Sequence, residues 1–420
     1  MVQPPPLITN DAVVLGLLMT ILAFIFVTSH SENPTLKKFY RVVPALLLCY
    51  FIPAVFSTLG VISGDVSKLY FVASRYLLPC CLVLLCLSID IKGIIGLGPK
   101  AIIMFFTGTF GIIIGGPIAF LIVSFFSPEA MGGIEPNEVW RGMTTVAGSW
   151  IGGGANQTAM KEMFNVGDGI FSAMIAVDVI VANIWMACLL FASGDPDKYD
   201  RMLKADNTAI KELQTKMEDY QARIAQIPNL TNLMTILGVG FAGTAIGHIV
   251  ADVMTPLIAA SDNADFFEKI SLTSKFFWLI MTATAIGMAL SFTKLSKLEG
   301  VGASRIGSAM LYILVASIGM KMDITALTET PILFLVGLIW IGIHGGLLIA
   351  VAKIIRAPLF FLAVGSQANV GGAASAPVVA SAFHPTLAPV GVLLAVFGYF
   401  VGTIGAYICG LILRAAAGGF

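Results

Sequence analysis

From Gly148 to Thr158 the chain reads Gly148-Ser149-Trp150-Ile151-Gly152-Gly153-Gly154-Ala155-Asn156-Gln157-Thr158. Three successive glycines lie in an apolar run, and three side chains able to bind polar ligands follow. Glycine lets the backbone leave helical geometry at little steric cost. Irregular backbone at membrane depth survives only when it is buried in protein or lines a wet cavity. The stretch therefore predicts a break in a membrane segment with a polar site at the break.

A second stretch has the same character: Gly365-Ser366-Gln367-Ala368-Asn369-Val370-Gly371-Gly372-Ala373-Ala374-Ser375-Ala376-Pro377. Exposed N–H groups at the start of a half-helix favour anions, and unwound carbonyls favour cations. Two such turns meeting near the midplane form a site for a substrate and its coupling ion. The candidate substrate ligands are Ser149, Gly153, Gly154, Asn156, Gln157 and Thr158 in the first stretch, and Ser366, Gln367, Asn369, Gly371, Gly372 and Ser375 in the second. The competing explanation is close helix packing through small residues, which accounts for either stretch alone.

Composition sets the frame for both. Hydrophobic residues make up 57% of the 420 and charged residues 11%, with a mean hydropathy of +0.92, whereas soluble domains are about a quarter charged. A water-soluble fold is excluded on that ground. At about 20 residues per spanning helix, the chain has room for about ten to twelve membrane segments. Lys plus Arg (24) balance Asp plus Glu (24) with no long basic run, so nothing points to nucleic acid. The cysteines at 49, 80, 81, 86, 188 and 409 all fall in apolar runs, without metal or redox spacing, and read as packing thiols. The run Ala12 to Val27 lacks a small-residue cleavage site and reads as a retained first helix.

Apolar runs fall at 12–28, 42–62, 70–89, 100–126, 143–160 and 168–193, and again at 229–251, 276–292, 306–320, 331–352, 358–383 and 386–413. The two sets match weakly in order. Leu-Met-Thr-Ile-Leu from Leu18 recurs from Leu233, Lys38-Phe39 faces Lys275-Phe276, and Gly153-Gly154-Ala155 is matched by Gly371-Gly372-Ala373. The domain reading is thus a first repeat at 1–193, a charged linker at 194–228 and a second repeat at 229–420. Cytoplasmic loops carry excess Lys and Arg, which puts Lys37, Lys38, Arg41, Lys92 and Lys100 inside and the N-terminus outside. In the second half the basic loop is the one with Lys294, Lys297 and Arg305, so the Asp323 turn lies outside although its counterpart at Asp90 lies inside. The repeats are inverted. Inversion requires an odd number of crossings per half, yet each half has six runs. The Gly-rich fifth runs are therefore expected as re-entrant hairpins at 143–165 and 358–383, with broken spanning helices as the alternative.

The linker carries Leu203, Ile210, Leu213, Met217, Tyr220, Ile224 and Ile227 at helical spacing. It predicts an amphipathic cytoplasmic helix packed on its own domain or on the lipid surface; a dimer coiled coil is the alternative, though the stripe is under four heptads long. Among ionisable groups, Asp178 stands in Ile-Ala-Val-Asp-Val-Ile-Val-Ala-Asn with no basic neighbour, at a cost of about 2.5 to 3.5 kcal/mol on the insertion scale. Together with Asn156 and Asn369 it is the candidate coupling-ion group, with a structural hydrogen bond as the alternative. His344 is a candidate proton relay or a neutral structural histidine. His248 and His384 sit near segment ends. No HExxH, Walker or G-x-S-x-G motif is present, and the expectation is that the chain is not an enzyme.

With these motifs the chain resembles the YjcL-like family of bacterial, archaeal and plant membrane proteins along nearly its whole length. More distantly, its paired Gly-rich segments are similar to the re-entrant loops of the glutamate:sodium and citrate:sodium symporter families. That likeness implies that Gly153, Gly154, Ala155 and Asn156, with Gly371, Gly372 and Ala373, hold substrate and cation while one bundle moves as an elevator against a dimerised scaffold. The motifs are not reproduced letter for letter, and no intramembrane Arg or Lys matches a fixed partner for a dicarboxylate.

The sequence therefore predicts an all-α integral membrane protein of two inverted-topology repeats, each about five transmembrane helices plus one Gly-rich hairpin. Its expected function is secondary active transport, by an elevator mechanism, of a small polar or anionic organic solute such as an amino acid, a small peptide or a carboxylate. Na+ or H+ is the coupling ion and no other cofactor is expected. The expected setting is a homodimer in the plasma (bacterial inner) membrane. An intramembrane enzyme using Asp178 and His344, or a channel, is the alternative.

Overall fold

The computed structural model describes residues 6–43, 45–205, 210, 213, 229–322 and 331–418. Every regular element among them is helical. In the first half these are α1 (Asp11–Ser29), α2 (Pro34–Val42), α3 (Ala45–Thr58), α4 (Leu69–Leu87, with a π-turn at Ala73–Leu77), α5 (Ile91–Gly96), α6 (Pro99–Phe126), α7 (Pro128–Met131), α8 (Val139–Gly152), α9 (Gly154–Met163), α10 (Asp168–Ser193) and α11 (Pro196–Leu203). In the second they are α12 (Leu230–Ala259), α13 (Ala264–Lys269), α14 (Lys275–Ser291), α15 (Ala303–Gly319), α16 (Ile332–Ile355), α17 (Leu359–Val370), α18 (Gly372–Phe383) and α19 (Ala388–Ala416). Seven helical runs among the described residues are long and apolar enough to cross a membrane, or up to nine if bent pairs count.

Polar residues at the ends set the boundaries. Asn10 accepts from Ala12 N, Asp90 from Gly93 N and Asn229 from Asn232 N, each at 2.9 Å, meeting donors that a helix start leaves unpaired. The run expected at 229–251 continues to Ala259, because Val253 to Ala259 stays mostly apolar after Asp252. His248 is therefore more than two turns from that helix end, with Nε2 2.9 Å from Arg75 O. Five cysteines are buried as packing thiols, but Cys188 is exposed. It shares an outward stripe of α10 with Ile184 and Phe191, both exposed, as a lipid-facing surface requires.

The helices pack mainly in two groups. One contains α1, α3, α4, α12, α14 and α15. The other contains α6, α8 to α10 and α16 to α19. In the first, Gly240 and Gly243 of α12 and Gly287 of α14 admit the side chains and backbone of α4 so closely that any Cβ there would lie within 3 Å of them. Such close approach is what small residues provide between membrane helices.

The Gly-rich segments are helical hairpins. At Gly153, where φ is +85°, the chain turns back, and Gly148 passes so near Asn156 that a Cβ would lie 2.6 Å from its carbonyl oxygen. The ends of the hairpin meet: Arg141 Nη1 donates to Phe164 O at 2.6 Å, and the Trp140 and Phe164 rings are 6.1 Å apart. In the second hairpin Phe360 and Phe383 stack edge-to-face at 5.5 Å. The hairpins run Val139–Met163 and Leu359–Phe383. The first thus starts four residues before the expected 143, since Glu138 and Arg141 are held by their ion pair.

Helix α19 is the spine between them. Gly391 lies against Ala376 of the second hairpin, Gly402 against Gly152 and Gly410 against Phe164 of the first. At Gly398 both tips converge: a Cβ there would be 2.8 Å from Ile151 O and 3.5 Å from Ala368 O. The hairpins therefore approach from opposite ends of α19 and meet tip to tip. The linker helix α11 docks on this group, with Asp200 accepting from Leu359 N at 2.7 Å. Leu203 and Leu213 are buried and Ile210 packs on the core. Met217, Tyr220, Ile224, Ile227 and Asp323 lie outside the described residues.

Candidate functional site

A cavity of about 350 Å³ opens where the tips meet. Hairpin one contributes Ser149, Gly153 and Gly154, and hairpin two Gln367, Gly371, Gly372 and Ser375. Helix α10 adds Asp178 and Asn183, and α19 adds Tyr399. The opposing wall comes from the other helix group, through Leu46 of α3 and Ser308 and Tyr312 of α15. The cavity thus lies between the two groups, as a site between moving parts would.

Among the described residues Asp178 is the only charged one in its lining, and it is 5% exposed. Its carboxylate accepts from Gln157 Nε2 at 2.9 Å, and Gln157 Oε1 accepts from Tyr50 OH of α3 at 3.2 Å. Ser149 and the Trp150 indole also flank the carboxylate, yet the Trp150 N–H is buried without a hydrogen-bond partner. Gln367 Nε2 meets Ser375 Oγ at 2.7 Å, while its Oε1 has no partner. A Cβ at Gly371 would lie 1.7 Å from Ser375 Oγ and would displace that hydroxyl from the pair. Asn156 donates to Tyr399 O (3.0 Å) and Thr403 Oγ1 (2.7 Å), leaving its Oδ1 unpaired. Of five such orphaned buried atoms among the described residues, three lie at the hairpin tips. Each costs about 1 to 3 kcal/mol; of the three, Gln367 lines the cavity, where a ligand can pair with it, whereas Asn156 and Trp150 lie behind the lining.

The first turns of α9 and α18 border the cavity, and neither has a side-chain cap. Their unpaired N–H groups and dipole ends supply positive potential opposite Asp178.

Other predicted site residues sit elsewhere. Asn369 donates to Phe105 O (3.0 Å) and Gly365 O (2.9 Å) and accepts from Thr109 Oγ1 (2.8 Å), tying α17 to α6. Thr158 bonds back to Gly154 O at 3.1 Å. His344 Nδ1 lies 3.0 Å from Gly108 O, a pure acceptor, so Nδ1 carries the proton and Nε2 accepts from Ser366 Oγ at 2.8 Å. Ser366 in turn accepts from Trp185 Nε1 at 2.8 Å. Donors and acceptors close on one another, leaving His344 and Ser366 in a helix brace apart from the cavity.

Sequence reasoning missed Tyr399, Thr403, Tyr312 and Ser308. The Gly398-x-x-x-Gly402 spacing was a usable signal for a helix that another backbone approaches closely. It also missed an ionic cluster at the open end of the first hairpin, where Arg75 pairs with Glu162 (2.8 Å), Tyr70 OH donates to Glu162, and Lys161 pairs with Asp168 (2.6 Å). A wider cavity of about 650 Å³ opens beside it, lined by Arg75, Glu162, His248 and Arg414 among others.

Fold and composition define an integral membrane protein, helical throughout its described regular elements, with a cavity between its hairpin tips that carries one buried carboxylate. The chain belongs to the DUF819 family, described as a protein of unknown function, whose profile matches residues 16–416. It is 23% identical over 369 residues to the uncharacterized membrane protein YjcL of Bacillus subtilis (strain 168), which covers 83% of this chain and 84% of that one.

Proposed function

We propose that the protein is a secondary active transporter of a small polar organic solute, driven by a Na+ or H+ gradient, and not an enzyme. The observation that carries the reading is the cavity between the hairpin tips: uncapped half-helix starts, the orphaned amide oxygen of Gln367 and the buried carboxylate of Asp178 line one space between two helix groups. Enzymatic use of Asp178 needs a second catalytic group at its depth, and His344 is committed to Gly108 and Ser366 instead.

The element order supports two inverted repeats at 1–193 and 229–420, because each half ends with a long helix, a hairpin and a long helix. Counting α15 with the seven spans and two bent pairs gives the ten crossings that inversion requires. The group holding the hairpins is the moving bundle of an elevator, and the other group is its scaffold. Within that scaffold α1 and α12 are the least buried spans, offering a surface to lipid and to a second copy in a homodimer. Positive-inside orientation in the plasma membrane puts the N-terminus outside and the linker in the cytoplasm. The cavity reaches Leu46, Met186 and Ser308, near helix ends that this orientation makes cytoplasmic, so the conformation is inward-facing.

Uptake into vesicles reconstituted with the full chain tests the reading. A solute that stabilises the purified protein accumulates above its external concentration when a Na+ or H+ gradient is applied. A solute that binds the cavity but is converted chemically, or only equilibrates under both gradients, overturns it.

A further inference from the structure

The charge of the cavity narrows the solute. Among the described residues no Lys, Arg or His lines it, and Asp178 supplies the one formal charge. Lys161, on the first hairpin, is held by Asp168 at 2.6 Å, so that ammonium is already engaged outside the lining. A di- or tricarboxylate would bring its negative charges to Asp178 with no cation to meet them, and in a low-dielectric site that repulsion is strong. A cationic nitrogen meets the opposite situation. It neutralises Asp178, whose Oδ2 has a neutral amide donor in Gln157, and removes the cost of an isolated carboxylate at membrane depth.

Another part of the lining has the complementary character. Gly372, Ala373 and Ala374 line it as the first turn of α18, a twelve-residue helix with Gly371 as an N-cap that bonds through no side chain. Its leading N–H groups and dipole favour a carboxylate. Beside them Gln367, 1% exposed, lines the same cavity with one end of its amide unpartnered. Val179, Ala182, Met186 and Leu311 add apolar lining.

We propose that the solute is a zwitterion, an amino acid or a close analogue, with its ammonium on Asp178 and its carboxylate on the first turn of α18. The inference rests on reading this cavity as the solute site. A solute carrying both charges matches a cavity lined by one negative side chain and by helix N-termini, and Asp178 then recognises solute.

The test is thermal stabilisation and calorimetric binding with the full chain in lipid nanodiscs. The probes are the twenty common amino acids and, for any that binds, its decarboxylated amine and its deaminated acid, with succinate and citrate alongside. At least one amino acid raises Tm, and each half-molecule binds at least tenfold more weakly. Asp178→Asn weakens amino-acid binding at least tenfold while Asp178→Glu retains part of it, and the ligand-free Tm of each variant reports folding separately. Binding of succinate or citrate in preference to every amino acid overturns the proposal, as do an amine that binds as tightly as its parent, a failure of all twenty, or an unchanged affinity in Asp178→Asn. The two readings fail separately. Gradient-driven uptake of a dicarboxylate sinks the zwitterion and leaves the transporter, whereas an amino acid that binds but never accumulates does the reverse.

Discussion

Two buried amides in the same hairpin, Gln367 and Asn369, stand in opposite positions. Asn369 has each hydrogen bond it can make by this geometry taken up by Phe105, Gly365 and Thr109, whereas Gln367 keeps one end of its amide empty at the cavity. Replacing Asn369 by Leu leaves a carbonyl and a hydroxyl on α6 without their partner, at about 1 to 3 kcal/mol each. Asn369→Leu should therefore lower the thermal midpoint of the purified protein by several degrees. Gln367→Ala removes an unpaired oxygen together with a single bond to Ser375, and should lower the midpoint less than Asn369→Leu does while reducing uptake at least tenfold. A stable Asn369→Leu protein with normal uptake, or a Gln367→Ala protein that transports normally, would reverse these assignments. The sequence made both residues equal candidates. Polar residues in apolar runs are costly wherever they stand, so their presence was legible. Their division into brace and site depends on α6, more than 250 positions away, which no local pattern encodes. Asp178 was legible for the same reason of cost, and its partner Gln157 was singled out without the pairing being visible.

At the scale of elements, apolar runs located α1, α6 and α10 within one residue, because hydrocarbon burial and helix length constrain each other. The fifth run of each half was ambiguous, since a hairpin and a broken span share composition and periodicity. Only the count of crossings favoured the hairpin, and the contact of Arg141 with Phe164 O shows why the arms stay together. This geometry makes a labelling prediction. In a cysteine-free background, single cysteines at Glu135 and Asn165, both exposed beside the first hairpin, should react with an impermeant maleimide from the outer face. Cysteines at Arg356 and His384, exposed beside the second, should react only from the cytoplasmic face. Opposite faces for the two flanks of either hairpin would make that segment a span and cancel the count of ten. Gly371→Ala belongs to the same scale: its methyl would displace the Gln367–Ser375 pair at the tip, so uptake should fall at least tenfold with insertion intact.

For the whole molecule, the two helix groups are bonded near the hairpin tips, through Tyr50 with Gln157 and Thr284 with Thr403, and again at one end. Arg75 of α4 pairs with Glu162 of α9, Tyr70 OH donates to the same carboxylate, Tyr407 OH donates to Ile270 O at 2.5 Å, and Arg414 donates to Lys269 O. All four lie at the end where the first hairpin has its base, and the cavity opens toward the other. An elevator needs its closed end to release when the bundle moves, so these bonds should bias the equilibrium between the two states. The Arg75 and Glu162 side chains are 31% and 13% exposed, which places the pair at the upper end of surface ion pairs, about 1 kcal/mol, or roughly a fivefold change in population. Glu162→Gln removes the charge while keeping an acceptor for Tyr70. Spin labels at Asn165, on the hairpin group, and at Asp262, on the scaffold group, report the separation across this end. In Glu162→Gln a longer-distance population should grow by about that factor, and Arg75→Gln should match it. The double variant should add little to either, because both remove the same bond. Glu32→Gln, which breaks only the exposed pair with Lys37 at the opposite end, should leave the distribution unchanged. If all the variants share the parent distribution, the ion pair only braces the folded protein, and the closed end is held by packing and the remaining bonds of Tyr407 and Arg414.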